Sequence, residues 1–146
     1  KLSGKFDRID RAADGSLVIV DYKTGKAPSP LAVREGFSMQ LGLLGAIAEA
    51  GGFEGISGTA GGFEYWSLAK YRDEFGQVTS PVDPAGKNGR IVTDEFVERA
   101  RRTFTAAAEQ WLTGDEPFVA KLHPEYAPYA DYDQLMRRDE WYGRDR

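Results

Sequence analysis

Asp21, Tyr22 and Lys23 close the apolar run Leu17-Val18-Ile19-Val20 and are followed by Thr24-Gly25-Lys26. Along a strand, alternation places Leu17, Ile19, Asp21 and Lys23 on one face and Val18, Val20 and Tyr22 on the other. A carboxylate and an ammonium then project side by side from the end of a hydrophobic strand. That pairing suits metal-assisted cleavage of a phosphodiester. The carboxylate holds a divalent cation, and the lysine stabilises charge on the reacting phosphate or positions the attacking water. Asp-x-Lys alone is a weak signal, because most such pairs are solvated strand ends.

A second acid lies upstream, in Gly4-Lys5-Phe6-Asp7-Arg8-Ile9-Asp10, ahead of the turn signal Ala13-Asp14-Gly15. A three-residue hairpin loop commonly ends in glycine, because its last position needs positive φ. With Ala13, Asp14 and Gly15 as the loop, Ala12 faces Ser16 and Asp7 faces Asp21. Directly opposed residues share a face, with Cβ atoms roughly 4.5–5.5 Å apart. Two carboxylates that close repel unless a cation lies between them. A two-residue loop would instead set Arg8 opposite Asp21 and make a plain ion pair. Both registers are open at this level. Asp10 falls on the strand face opposite Asp7 and reads as a surface or salt-bridge residue.

Taken together, GxxDRID over Gly4–Asp10, a hairpin-length gap, DYKTG over Asp21–Gly25 and the downstream Gln40 resemble the PD-(D/E)XK nuclease core of the RecB-like group. Within that group the chain looks like the C-terminal nuclease domain of AddB-type helicase–nuclease subunits. The tail from Glu125 through Trp141 is similar to the alphaproteobacterial form. The resemblance implies an α/β fold with a mixed sheet that opens with an antiparallel hairpin and is flanked by helices. It implies Mg²⁺-dependent hydrolysis of single-stranded DNA during double-strand break repair, Mn²⁺ being an alternative ion, beside an AddA-like partner subunit. Asp7 and Asp21 would be metal ligands, Tyr22 would offer its backbone carbonyl to the metal, and Lys23 would be the catalytic lysine. Gln40 would match the glutamine of a Q-x-x-x-Y motif that supports the active site, although Leu44 stands where the tyrosine is expected. The family also carries a His or Glu on an upstream helix, which is expected to precede Lys1 in a longer parent chain. An iron–sulfur staple of four cysteines, found in many AddB proteins, cannot form here because the chain has no Cys.

Composition sets bounds on this reading. The chain has 146 residues, 41% hydrophobic and 12% aromatic, enough for one domain with a single core. No apolar run reaches membrane-spanning length, and the absence of Cys favours a cytoplasmic setting. The net charge of −4 argues against a strongly basic free DNA-binding domain. Residues 1–26, however, carry six Lys/Arg against four Asp, so the candidate site is locally basic.

The remaining elements must position that site. Ser29-Pro30 suits a helix start, with Ser as N-cap and Pro at the first helical position. Phe37, Gln40, Leu41, Leu44, Ile47 and Ala48 recur at helical spacing, and Gly51-Gly52 ends the helix. Gly36, Gly42 and Gly45 weaken it but allow a close approach to the sheet. Residues 51–62 read as a glycine-rich connector, 63–69 as an aromatic strand and 76–90 as a surface loop. Thr93 is expected to cap a helix with Val97, Ala100, Phe104, Ala107, Trp111 and Leu112 as its apolar stripe, stopped by Gly114. Arg99, Arg101 and Arg102 read first as a solvated helix face. Residues 117–146 form a Tyr- and Pro-rich tail, with a short helix expected over Tyr132–Trp141. Its His123, Tyr126, Tyr129 and Tyr132 read as packing residues. Two alternatives to the enzyme reading remain: a non-catalytic module that docks DNA or a partner, and an unrelated α/β domain with a fortuitous Asp-Tyr-Lys.

Overall fold

A computed structural model of the chain describes residues 1–71 and 74–117. His123, the tail tyrosines and the expected helix over Tyr132–Trp141 lie outside the described residues. Strand β1 (Arg8–Arg11) turns into β2 (Leu17–Lys23) in antiparallel pairing, with Arg8 opposite Val20 and Arg11 opposite Leu17. The turn is the three-residue form. The Ala12 N–H donates to the Ser16 carbonyl at 2.9 Å, and Gly15 sits at φ 86°. Asp14 closes the turn by accepting from the Ser16 N–H and hydroxyl at 2.9 and 2.7 Å. These two hydrogen bonds hold its carboxyl below the usual carboxylate pKa.

The chain then crosses over through α1 (Pro30–Arg34) and α2 (Gln40–Glu49) into β3 (Ala60–Tyr71), which lies parallel to β2, and β4 (Glu74–Thr79) pairs antiparallel with β3. The result is a four-stranded mixed sheet in the order β1-β2-β3-β4. Beyond it, β5 (Val82–Asp83) pairs parallel with β6 (Ile91–Val92), and a 3₁₀ turn over Thr93–Glu95 leads into α3 (Phe96–Ala107). The α/β expectation and the opening hairpin are therefore what the chain builds.

Four local expectations are corrected. The helical run from Ser29 to Ala48 is two helices. Ser29 does cap the first, its hydroxyl accepting from the Ala32 N–H at 3.2 Å. Gly36 then takes φ 84°, and the Phe37 N–H bonds back to the Ala32 carbonyl, which ends the helix in a left-handed cap. Residues 76–79, expected in a loop, belong to β4, and Asp83 orders part of the remainder by accepting from the Ala85 and Lys87 N–H groups. The stripe on α3 begins one residue earlier than expected, at Phe96, which is 2% exposed, whereas Leu112 is 68% exposed. Thr93 opens a 3₁₀ turn and not the α-helix itself.

The chain divides at Ala106/Ala107. Of the second unit, the described part is residues 107–117, which include a π-helical turn at Ala108–Leu112. The core belongs to the first unit. Leu17 and Ile19 from β2, Phe63 and Tyr65 from β3, and Leu41 and Leu44 from α2 are all buried there. Phe63 meets Phe96 edge to face at 4.7 Å between ring centroids. Two glycines let the helices settle. A Cβ at Gly42 would stand 2.5 Å from Ala100 Cβ, and one at Gly45 would stand 3.0 Å from both Phe63 and Val97 side chains. Gly45 thus admits α2 to the sheet as expected, while Gly42 serves the contact with α3.

Candidate active site

Asp21 lies on the core face of β2 near its C-terminal end and is only 3% exposed. A carboxylate there has lost most of its water, so it requires partners. Lys23, next on the same face, brings its Nζ to 2.7 Å from Asp21 Oδ2. The contact is a close ion pair. Its angles fall outside hydrogen-bonding geometry, and this buried Oδ2 accepts no hydrogen bond. Lys23 Nζ instead donates to Gln40 Oε1 at 3.0 Å. Gln40 opens α2, so the middle of the crossover reaches back to the strand it left. Three of the residues singled out in the sequence thus form one connected chain: Asp21, Lys23 and Gln40.

Asp7 joins this group differently. It lies just before β1, exposed, in line with Asp21 by continuation of the hairpin register. Along an antiparallel ladder every second residue pair exchanges hydrogen bonds. That alternation assigns the Tyr22 N–H to the backbone of Phe6. The strand ends first, and Asp7 Oδ2 takes the Tyr22 N–H instead, at 2.9 Å. Phe6 anchors this segment by packing edge-on against Phe53 at 4.7 Å. Gly4 keeps it low over α2, where a Cβ would meet Leu44 and Ile47 side chains at 3.3 and 3.4 Å. Leu44, at the position where a tyrosine was expected, is 4% exposed within the core and offers the site no polar group.

Asp10 is on the other face, paired with Arg8 through both carboxylate oxygens at 2.9 and 2.8 Å. Arg8 also lies over the Trp66 ring, 5.0 Å from its centroid. Arg99 donates to the Arg34 carbonyl at 2.9 Å and so ties α3 to the end of α1, and Arg101 pairs with Glu98 at 3.2 Å. Both are therefore engaged in structural contacts.

Sequence reasoning missed two residues of β3. Tyr65 is paired in register with Asp21, is 1% exposed, and presents its ring 5.6 Å from Lys23 Nζ. Burial pushes its phenol pKa up, the contact with Ser38 pulls partly back, and the neighbouring Asp21 charge adds a smaller upward push. Ser67, paired with Lys23, donates its hydroxyl to the Gly25 carbonyl at 2.8 Å and so fixes the turn that follows the lysine. The available signal was the alternation of Phe63, Tyr65 and Ser67 on one face of the aromatic strand.

The donors suit a hard cation. Carboxylate and carbonyl oxygens are Mg²⁺ and Mn²⁺ ligands, and Asp21 Oδ2, whose one close neighbour is the Lys23 ammonium, has lone-pair capacity left for a metal. Among the described residues no group of three His, Cys, Asp or Glu side chains converges on one point. Any ion here would need water or further groups to complete six ligands. Among the described residues, no helix is long and apolar enough to cross a membrane.

Searches of curated proteins and of solved structures give no match. The family profile of the PD-(D/E)XK nuclease superfamily matches residues 1–130. That span contains the hairpin, the Asp21–Lys23 strand end, the crossover bearing Gln40 and the helix behind it, and the chain accordingly belongs to the PD-(D/E)XK nuclease superfamily.

Proposed function

We propose that this chain is the nuclease domain of an AddB-type subunit, hydrolysing single-stranded DNA beside an AddA-like helicase partner during double-strand break repair. The observation that carries the catalytic reading is the buried Asp21 carboxylate, with one oxygen unbonded, in contact with an ammonium that Gln40 holds. In this reading residues 1–146 act as one nuclease domain. Asp7, Asp21 and the Tyr22 carbonyl would hold Mg²⁺ or Mn²⁺, which neutralises phosphate charge and acidifies an attacking water.

The protein's own residues supply the rest. Lys23 places a positive charge at the phosphate as negative charge builds on its oxygens. Gln40 spends its carbonyl on the ammonium and fixes where that charge stands. Hydrogen-bonded Asp7 ties the entering strand to the end of β2, so both carboxylates are carried by one hairpin. An unpaired buried charge would be costly, and Lys23 offsets the cost of burying Asp21.

A second reading is a docking module without catalysis. Leu44 in the core and the lack of a third converging acid among the described residues favour it. Release of nucleotides from single-stranded DNA, with and without Mg²⁺, by the full-length protein with its partner separates the two. Lys23→Ala should abolish release and leave strand unwinding intact. Equal release from wild type and variant would overturn the nuclease reading.

A further inference from the structure

We infer that Tyr65 is the positioning residue for Lys23, acting through the face of its ring. The kinetic part of this inference rests on the nuclease reading above. A lysine on a strand end has four rotatable side-chain bonds and little to restrict them. Here the ammonium has three neighbours: Asp21 Oδ2 at 2.7 Å, Gln40 Oε1 at 3.0 Å and the Tyr65 ring at 5.6 Å. They differ in what they can fix. The Asp21 contact lacks hydrogen-bond direction. Gln40 supplies one directed bond, from a side chain that is itself long and flexible. Tyr65 is the rigid member, because its ring is 1% exposed and is held on β3 in register with Asp21.

A ring face within about 6 Å of a cation attracts it through the negative face of the π system. The charge is thereby held beside Asp21, yet the ring takes none of the ammonium's directed N–H bonds, so that beyond the one given to Gln40 the ammonium can still donate to a phosphate oxygen. The Tyr65 hydroxyl points elsewhere, to a long contact of 3.5 Å with Ser38 Oγ, two residues before Gln40. The ring and the hydroxyl can therefore be separated by mutation.

The test compares Tyr65→Phe, Tyr65→Leu and Tyr65→Met in the full-length protein. Tyr65→Met fills the space with an apolar chain that lacks a π face, and it guards against a cavity left by Leu. Two quantities are read: kcat and KM for Mg²⁺-dependent hydrolysis of a single-stranded oligodeoxynucleotide, and the rate at which acetic anhydride acetylates Lys23 in metal-free protein, followed by peptide mass spectrometry. Tyr65→Phe should keep both within about twofold of wild type. Tyr65→Leu and Tyr65→Met should lower kcat by about tenfold at unchanged KM, with faster acetylation of Lys23. Wild-type values in Tyr65→Met, or a loss in Tyr65→Phe equal to that in Tyr65→Leu, would overturn the inference. If wild-type protein hydrolyses no DNA, the nuclease reading fails, and the acetylation rates alone decide whether the ring positions the lysine.

Discussion

The hairpin carries two ion pairs of the same design, one on each face. Arg8–Asp10 and Asp21–Lys23 each join residues two apart on a strand, at 2.8 and 2.7 Å. In the first pair both side chains are more than 40% exposed, and the Arg8 Nε–H is shared between both carboxylate oxygens. Asp21 is buried, and its Oδ2 keeps an ammonium in contact without a hydrogen bond. Water screens the exposed pair, so little depends on it. The Asp21–Lys23 pair is screened less, because its carboxylate is buried while the lysine stays partly exposed, and that carboxylate and the ammonium held by Gln40 are what a cation and a phosphate can use. Two residues at this spacing become a candidate site through burial and through what else reaches them, not through their chemical types.

The strongest way to break this comparison is to neutralise the acid of each pair. Asp21→Asn should abolish Mn²⁺ binding in calorimetric titration and DNA hydrolysis with it, whereas Asp10→Asn should leave both at wild-type levels. Tight Mn²⁺ binding that survives Asp21→Asn would place the metal elsewhere. Next in size, Lys23→Ala should cost on the order of 10²–10³ in hydrolysis rate, as loss of one electrostatic stabiliser does. Arg8→Ala should change that rate by less than about twofold, since an exposed pair contributes little.

Smaller effects sharpen the structural side of the argument. Gly42→Ala puts a Cβ 2.5 Å from Ala100 Cβ, so α2 must move away from α3. Overpacking of this kind costs about 1–3 kcal/mol, readable by urea denaturation. Because Gln40 opens α2, the same variant should lower hydrolysis while Arg8–Asp10 stays intact. The smallest effect concerns acid. Asp14 has a lowered folded pKa, so its contribution to the hairpin is present above the ordinary carboxylate value and is lost as pH falls through the folded one. Thermal unfolding scans below about pH 4 should therefore show a smaller decline for Asp14→Asn than for wild type. Parallel declines would mean that the turn does not depend on that charge.

The sequence by itself determined the local features. Gly15 after Ala13-Asp14 suits a three-residue turn, because that position needs positive φ, but a two-residue loop fitted the same residues, and only the paired strands decide the register that aligns Asp7 with Asp21. The alternation of β2 determined that Asp21 and Lys23 share the core face, and Ser29-Pro30 marked a helix start. The tertiary structure decided what reaches them. Gln40 meets Lys23 only because the crossover brings α2 back to the end of β2, and Tyr65 does so only because β3 pairs in register with Asp21. The break at Gly36 was decided there too, since a glycine in a helical pattern is compatible with both a weak helix and a left-handed cap, and the local pattern does not choose between them. Short-range geometry follows from φ preferences and strand alternation. Contacts between residues 17 and 44 positions apart depend on how the helices and strands pack, which no local pattern encodes.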